Sequence, residues 1–251
     1  MQPRLEGTSM VLAFEGWNDA GEAASSAARY VQSAIHAVPL AEIDCEDFLD
    51  FTVRRPTVHL DDKKVRRVEW PRVEFQYGSV DSSRELIVGL GAEPHLRWRG
   101  FCDLVAELAR RLGVSQVLLL GAYLADVVYS RPIGVTGFAS SPELLEQLGV
   151  MSSSYQGPTG IVGVVADRLW ADGIDVVSLW AGLPHYISAT PNPRGALALV
   201  QKLTDCLGVR IDEAPLRRDA AAFEQKISAI VAADPELAEY VRQLKRRDFA
   251  Q

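Results

Sequence analysis

The sequence predicts an α/β protein: a mostly parallel or mixed central sheet covered by helices, with a helical appendage at the C-terminus. Three observations carry this. A helical stretch, a glycine and a short aliphatic run recur in that order, first as residues 99–112, Gly113 and 116–120. The unit returns as 161–172, Gly173 and 174–180, then as 194–207 and Gly208 followed by Val209 and Ile211. Strands apolar on both faces belong to a sheet buried on both sides. One segment, 42–77, abandons helical periodicity for strand alternation, and the chain beyond Pro215 shows helical periodicity alone.

Taken in order, residues 10–14 (MVLAF) read as a first strand and 20–35 as a helix. Within 42–78, Val73, Phe75 and Tyr77 point one way and Arg72, Glu74 and Gln76 the other, a half-buried strand. Val58, Leu60, Val65 and Val68 flank an Asp61-Asp62 turn, which predicts a hairpin and a β-rich extension of the sheet. Residues 86–90 and 133–138 read as further strands, and Ser140 and Ser141 before Pro142 as helix caps. In the tail, Leu216, Ala220, Phe223, Ile227 and Ile230 form one helical stripe. Asp234 and Pro235 start a second helix, with Leu237, Tyr240, Val241 and Leu244 on one side and Lys245, Arg246 and Arg247 in its last turn. The expected division is an α/β core over 1–211 and a two-helix appendage over 212–251, whose stripes need the parent core or another subunit to cover them.

Composition narrows the function classes. The chain has 251 residues, 48% hydrophobic and 24% charged, which is globular and not disordered. Lys and Arg total 26 against 33 Asp and Glu, a net charge of −7, so a nucleic-acid backbone is not the expected partner. Cys45, Cys102 and Cys206 are widely spaced without CxxC or neighbouring histidines, which suits a reducing compartment. The first residues lack an apolar core of a signal peptide. The longest uncharged stretch, 147–166, is broken by serines, Gln156 and Pro158, so no membrane span is expected. Cytoplasmic residence is the expectation. Charge is blocky between Glu42 and Arg67, acidic first and basic after, a pattern that steers self-association or protects a solvated sheet edge.

GxSxG, GxxxxGK[ST], HExxH and GxGxxG after the first strand are all missing, so neither metal nor cofactor is expected. Three constellations lie where an α/β sheet places its sites, beyond the carboxyl ends of strands. The first is Glu15-Gly16-Trp17-Asn18-Asp19, where Asn18 or Asp19 caps the next helix while Glu15 stands as an acid without an evident partner beside a tryptophan. The second is 155–163, YQGPTGIVG, where Thr159 caps a helix whose free N–H groups form an anion site. The third, after Trp180, holds His185, the best-placed histidine for proton transfer. Glu15, Trp17, Asn18, Asp19, Thr159, Gly160 and His185 are therefore expected to line one depression.

FEGWNDAG (14–21), GAYLADVVYSRPIGVTG (121–137), YQGPTGIVG (155–163) and SLWAGLPHYI (178–187), in that order, resemble the proteasome assembly chaperone 2-like family. The likeness is strongest to its actinobacterial branch of uncharacterised proteins and spans residues 10–250. The middle motif departs from the family, with Val128-Tyr129-Ser130 in place of a more polar, histidine-containing stretch. The resemblance implies a nucleoside phosphorylase/hydrolase-like α/β fold and no established reaction. It implies assembly by protein–protein contact; the two amphipathic tail helices and the segregated charge patches predict a homo-oligomer, for which the resemblance favours a trimer. The expected function is thus a non-catalytic assembly-chaperone-like or scaffold protein. The alternative is a nucleoside- or phosphate-binding protein, or a hydrolase/phosphorylase-like enzyme, centred on Glu15.

Overall fold

In the computed structural model, which describes residues 7–62, 64–81 and 84–248, the first strand decides the layering. β1 (Ser9–Glu15) sends Met10, Leu12 and Phe14 into one core and Val11 and Ala13 into the other. Each of the four larger side chains removed from water contributes about 1.5–3 kcal/mol, so a strand apolar on both faces settles only between two helical layers. β1 is flanked in parallel by β6 (Glu85–Ala92) and β7 (Gln116–Ala125), and β7 by β10 (Asp175–Pro184). Outside this parallel centre, β8 (Val135–Ala139) pairs antiparallel with β10, and the two-residue β9 (Met151–Ser152) follows it. On the other side β5 (Arg72–Ser79) pairs antiparallel with β6, and β2 (Val38–Asp44) with β5. The eight-stranded order is β2-β5-β6-β1-β7-β10-β8-β9, the mixed sheet expected.

Helices α2 (Trp98–Leu112) and α4 (Ile161–Ala171) cover the Phe14 side, and α1 (Ala23–Ala34) and α5 (Pro193–Leu207) the Val11 side. Local chemistry sets their ends. Asn192 accepts from the N–H groups of Arg194 and Gly195 at 3.1 Å to start α5. Gly113, at φ +70°, closes α2. Between β8 and β9 lies the short α3 (Pro142–Gln147). Ser141 precedes it without capping it, because its hydroxyl donates to Glu143 instead; Ser140 is drawn to the N–H of Val176 on β10.

Three expectations change. Val209 and Ile211 form no strand: the Val209 N–H donates back to the Thr204 carbonyl at the end of α5, and the Tyr30 hydroxyl of α1 donates to the Asp212 carbonyl. The hairpin β3 (Thr57–Leu60) and β4 (Arg66–Glu69) forms, but as a separate two-stranded sheet with every strand residue exposed. The tail helices α6 (Ala214–Ala233) and α7 (Pro235–Asp248) fold back on the parent chain. Leu216 joins the α1/α5 core, while Ile227, Val231 and Val241 enclose Tyr129. Val231 is buried in place of the expected Ile230, because from Ile227 the inward face continues four residues on, not three. Asp234 accepts from the N–H groups of Glu236 and Leu237 and caps α7 as expected. Among the described residues no helix is long and apolar enough to cross a membrane.

Candidate functional site

β1 and β6 lie in register with Glu15 beside Ala92, so two apolar strands reach the same edge together and each ends in an acid. Glu15 closes β1, Glu93 follows β6, and the Glu93 N–H donates to the Glu15 carbonyl at 2.9 Å. The two carboxylates then do different things.

Glu93 is turned inward. Its Oε1 accepts from Asn18 Nδ2 at 2.7 Å and from the Ile161 N–H at 2.9 Å, and its Oε2 from the Trp17 N–H at 3.1 Å. One carboxylate thereby holds the 16–18 turn against the first turn of α4. It also corrects two expectations. The cap of α4 is Glu93 and not Thr159, whose hydroxyl donates weakly to the Gly160 carbonyl at 3.4 Å. The anion site expected at this helix start is filled by the protein's own anion.

Asn18 and Asp19 sit beneath that clamp. Asn18 is fully buried; its carbonyl accepts from the Ala122 N–H at 2.8 Å, and its Oδ1 has no partner. Gly160 is required here by close approach, since a Cβ would lie 2.2 Å from Asn18 Oδ1. Asp19 Oδ1 accepts from the Ala24 and Ser25 N–H groups at 2.7 and 3.1 Å and caps α1, one of the two caps expected. Burial pushes the Asp19 carboxyl above its usual range, the outcome when one oxygen is desolvated without a donor.

Glu15 faces the α1 side and is not the unpaired acid expected. Arg29 of α1 and Arg54 of the 45–56 loop grip its two oxygens, one each. His185 is bound elsewhere: its Nε2 lies 2.9 Å from Asp126 and 2.8 Å from the Tyr240 hydroxyl, which itself donates to Asp126 at 3.2 Å. His185 thus joins the edge beyond β10 to α7. The structure ties Trp17, Asn18 and the 160–161 step together through Glu93, with Asp19 and Glu15 as neighbours holding other elements. Thr159 packs over Gly163, and His185 shares no hydrogen bond with this group.

Glu93, Arg29 and Arg54 were not singled out from sequence. Glu93 had the same signal as Glu15, an acid ending an apolar run (LIVGLGAE against MVLAFE). The arginines had none, because Arg54 reaches Glu15 from 39 residues away. Burial drives the Cys102 thiol up to about 12 and Cys206 up to about 11, so neither supplies a thiolate near neutral pH. Among the described residues no group of three His, Cys, Asp or Glu is placed to hold a metal. Beside these engaged polar groups, three large side chains stand exposed: Trp17 is 65% exposed, Tyr155 67% and Leu124 58%.

A family model described as the PAC2 family matches residues 13–231. No curated protein matches the chain. Among solved structures, a Mycobacterium tuberculosis protein described as a proteasome-assembly chaperone homologue is 40% identical, with a TM-score of 0.86, covering 93% of this chain and 100% of that one. A PAC2 family protein from Streptomyces avermitilis is 42% identical, with a TM-score of 0.85, covering 93% and 99%. An archaeal proteasome activator from Pyrococcus furiosus shares the fold, with a TM-score of 0.72 at 19% identity over 92% of this chain and 96% of that one.

Proposed function

The chain belongs to the PAC2 family, and on that premise we propose that it is an assembly-chaperone-like or scaffold protein acting through protein–protein contacts, without catalysis, as a cytoplasmic homo-oligomer. The observation that carries this reading is the division of labour at the strand ends. The acids bind backbone and arginines, while Trp17 stands in solvent on a turn fixed by Glu93. A large exposed aromatic on a backbone already fixed spares the chain the cost of ordering that turn on binding, and such residues are frequent interface hot spots. Tyr155, Tyr123 and Leu124 are further exposed side chains, the last two at the carboxyl end of β7. The likeness to a mycobacterial proteasome-assembly chaperone homologue supports the class of partner we propose, unassembled proteasome subunits.

Self-association draws support from the hairpin. Directly opposed residues share a face, so Val58, Val68, Leu60 and Arg66 lie on one side and Thr57, Glu69, His59 and Arg67 on the other. A lone two-stranded hairpin is marginal in water, and Val58, Leu60 and Val68 stay exposed without full cover among the described residues. A second copy supplies it, with a trimer the preferred stoichiometry. The test is a native mass measurement of the purified chain mixed with its host's proteasome subunits, beside the Trp17→Ala/Tyr155→Ala variant. A complex formed by the wild type and lost in the variant is expected. A strictly monomeric chain that binds no subunit overturns the reading, and a Glu15-dependent thermal shift with nucleosides or phosphate replaces it with the ligand-binding one.

A further inference from the structure

We propose that the groove between the outer edge of β2 and the β3–β4 hairpin takes an extended, basic segment of a partner protein, added to β2 as a further strand. This goes beyond the function proposed above, because it concerns a different surface and a chemically specified partner.

β2 ends the strand order and pairs only with β5, so its outer row of N–H and C=O groups meets no strand among the described residues. Open edges are normally blunted. Here Pro39 and the register shift between Pro39 and Ala41 guard one end, leaving 41–44 as regular, open strand. Beside it lies a groove of about 600 Å³, within the size range of binding sites. Glu42, Asp44 and Glu46 line it from the β2 side together with Arg72 of β5, and His59, Arg67, Val68 and Glu69 line it from the hairpin. Phe51 and Trp70 form part of the lining, packed edge to face at 5.0 Å, with Trp70 half exposed.

The charges specify the occupant. Arg72 is shared between Glu42 at 3.3 Å and Glu74 at 2.5 Å. Arg67 turns to Asp61 at the hairpin turn, at 3.5 Å, and His59 lies 3.1 Å from Glu69. That leaves Asp44 and Glu46 in no ion pair among the described residues: Arg72 lies across from Asp44 on β5 but is held by Glu42 and Glu74, and Asp44 accepts the Glu46 N–H at 2.9 Å. Glu42 and Asp44 are two residues apart on one exposed face of β2, while Ile43 between them is buried. A strand laid along this edge with Lys or Arg at alternate positions sets its cations opposite both acids, and Trp70 offers an aromatic face to one more. Main-chain pairing supplies affinity and the alternate side chains the selection, the logic of strand addition. An acidic strand would meet like charge at each of these positions.

The test uses a fluorescein-labelled eight-residue peptide alternating Lys and Val, followed by anisotropy with the full chain. Binding at least tenfold tighter than that of the Glu/Val counterpart is expected, with slowed amide exchange over residues 41–44. Asp44→Asn with Glu46→Gln keeps an oxygen for the Glu46 N–H and should weaken binding at least fivefold with unchanged melting. Methylating alternate backbone nitrogens of the peptide should abolish binding with every charge retained. Trp17→Ala should leave it unchanged, which separates failure here from failure of the assembly reading. No binding, or equal binding by the charge-removed variant or the methylated peptide, overturns the proposal. So does an oligomer that excludes the peptide and dissociates in the charge-removed variant, because a second copy then fills the groove.

Discussion

The turn after β1 and the β3–β4 hairpin are both short and both carry aromatic or aliphatic residues, yet they reach opposite states. At the turn, most polar groups that cannot reach water have a partner: Glu93 takes three donors, Asp19 caps α1, and Asn18 bridges to β7. Only Asn18 Oδ1 and Asp19 Oδ2 stay unpaired. In the hairpin nothing is buried; Val58, Leu60 and Val68 face water beside Arg66 and Glu69. The difference lies in what surrounds them. The turn emerges between two helix layers and must satisfy its backbone there. The hairpin leaves the sheet at Pro71 and has no layer above or below it. The lesson is that rigidity is spent at the strand ends and reserve adhesiveness at the hairpin.

Substitutions can break this contrast in order of size. Glu93→Ala removes three hydrogen bonds and leaves a buried amide and a helix N–H unpaired. A loss of about 3 kcal/mol, or a fall in melting temperature of about 6–12 °C, is expected by calorimetry. A change within about 1 °C would mean that the clamp is incidental. Gly160→Ala drives a Cβ onto Asn18 and should cost about 2 kcal/mol by denaturant titration. Glu15→Gln is milder, about 0.5–1 kcal/mol, because both arginines are nearly half exposed and solvent screens the pairs. A loss as large as that of Glu93→Ala would show the two acids to be equal partners in one clamp.

Two smaller effects sharpen the comparison. Val58→Thr with Leu60→Thr should alter melting by no more than about 0.5 kcal/mol while lowering the mass seen by light scattering at micromolar concentration. A large stability loss with unchanged mass would show that the hairpin is structural to its own chain. The last effect is a pH dependence at Asp19. Its carboxyl is raised in the folded state, so its contribution is full below the ordinary carboxylate pKa and is lost as pH rises through the raised value. Wild-type stability relative to Asp19→Asn should therefore fall as pH goes from 4 to 7, in paired urea titrations. A flat or rising difference would contradict the burial seen at this oxygen.

Periodicity and turn chemistry were enough to determine the α/β class, the parallel centre, the hairpin and the start of α7, because each is set by residues within a few positions of one another. Alternation in 72–77 needs only the pleat, and Asp234 with Pro235 needs only the next turn. Part of the site was legible in the same way: Asp19 caps the helix that follows it, and Glu15 closes an apolar strand. Tertiary structure alone decided the rest. Glu93 reaches Trp17, Asn18 and Ile161 because parallel pairing brings β6 beside β1, and Arg54 meets Glu15 across a long loop. Val231 displaced Ile230 when α6 found the face of its own core, and Val209–Ile211 pair with no strand, Val209 being tied back to Thr204 at the end of α5. Local propensity fixes which residues seek burial, but the partner that ends a charge's or an N–H's search is chosen by packing between segments far apart in the chain.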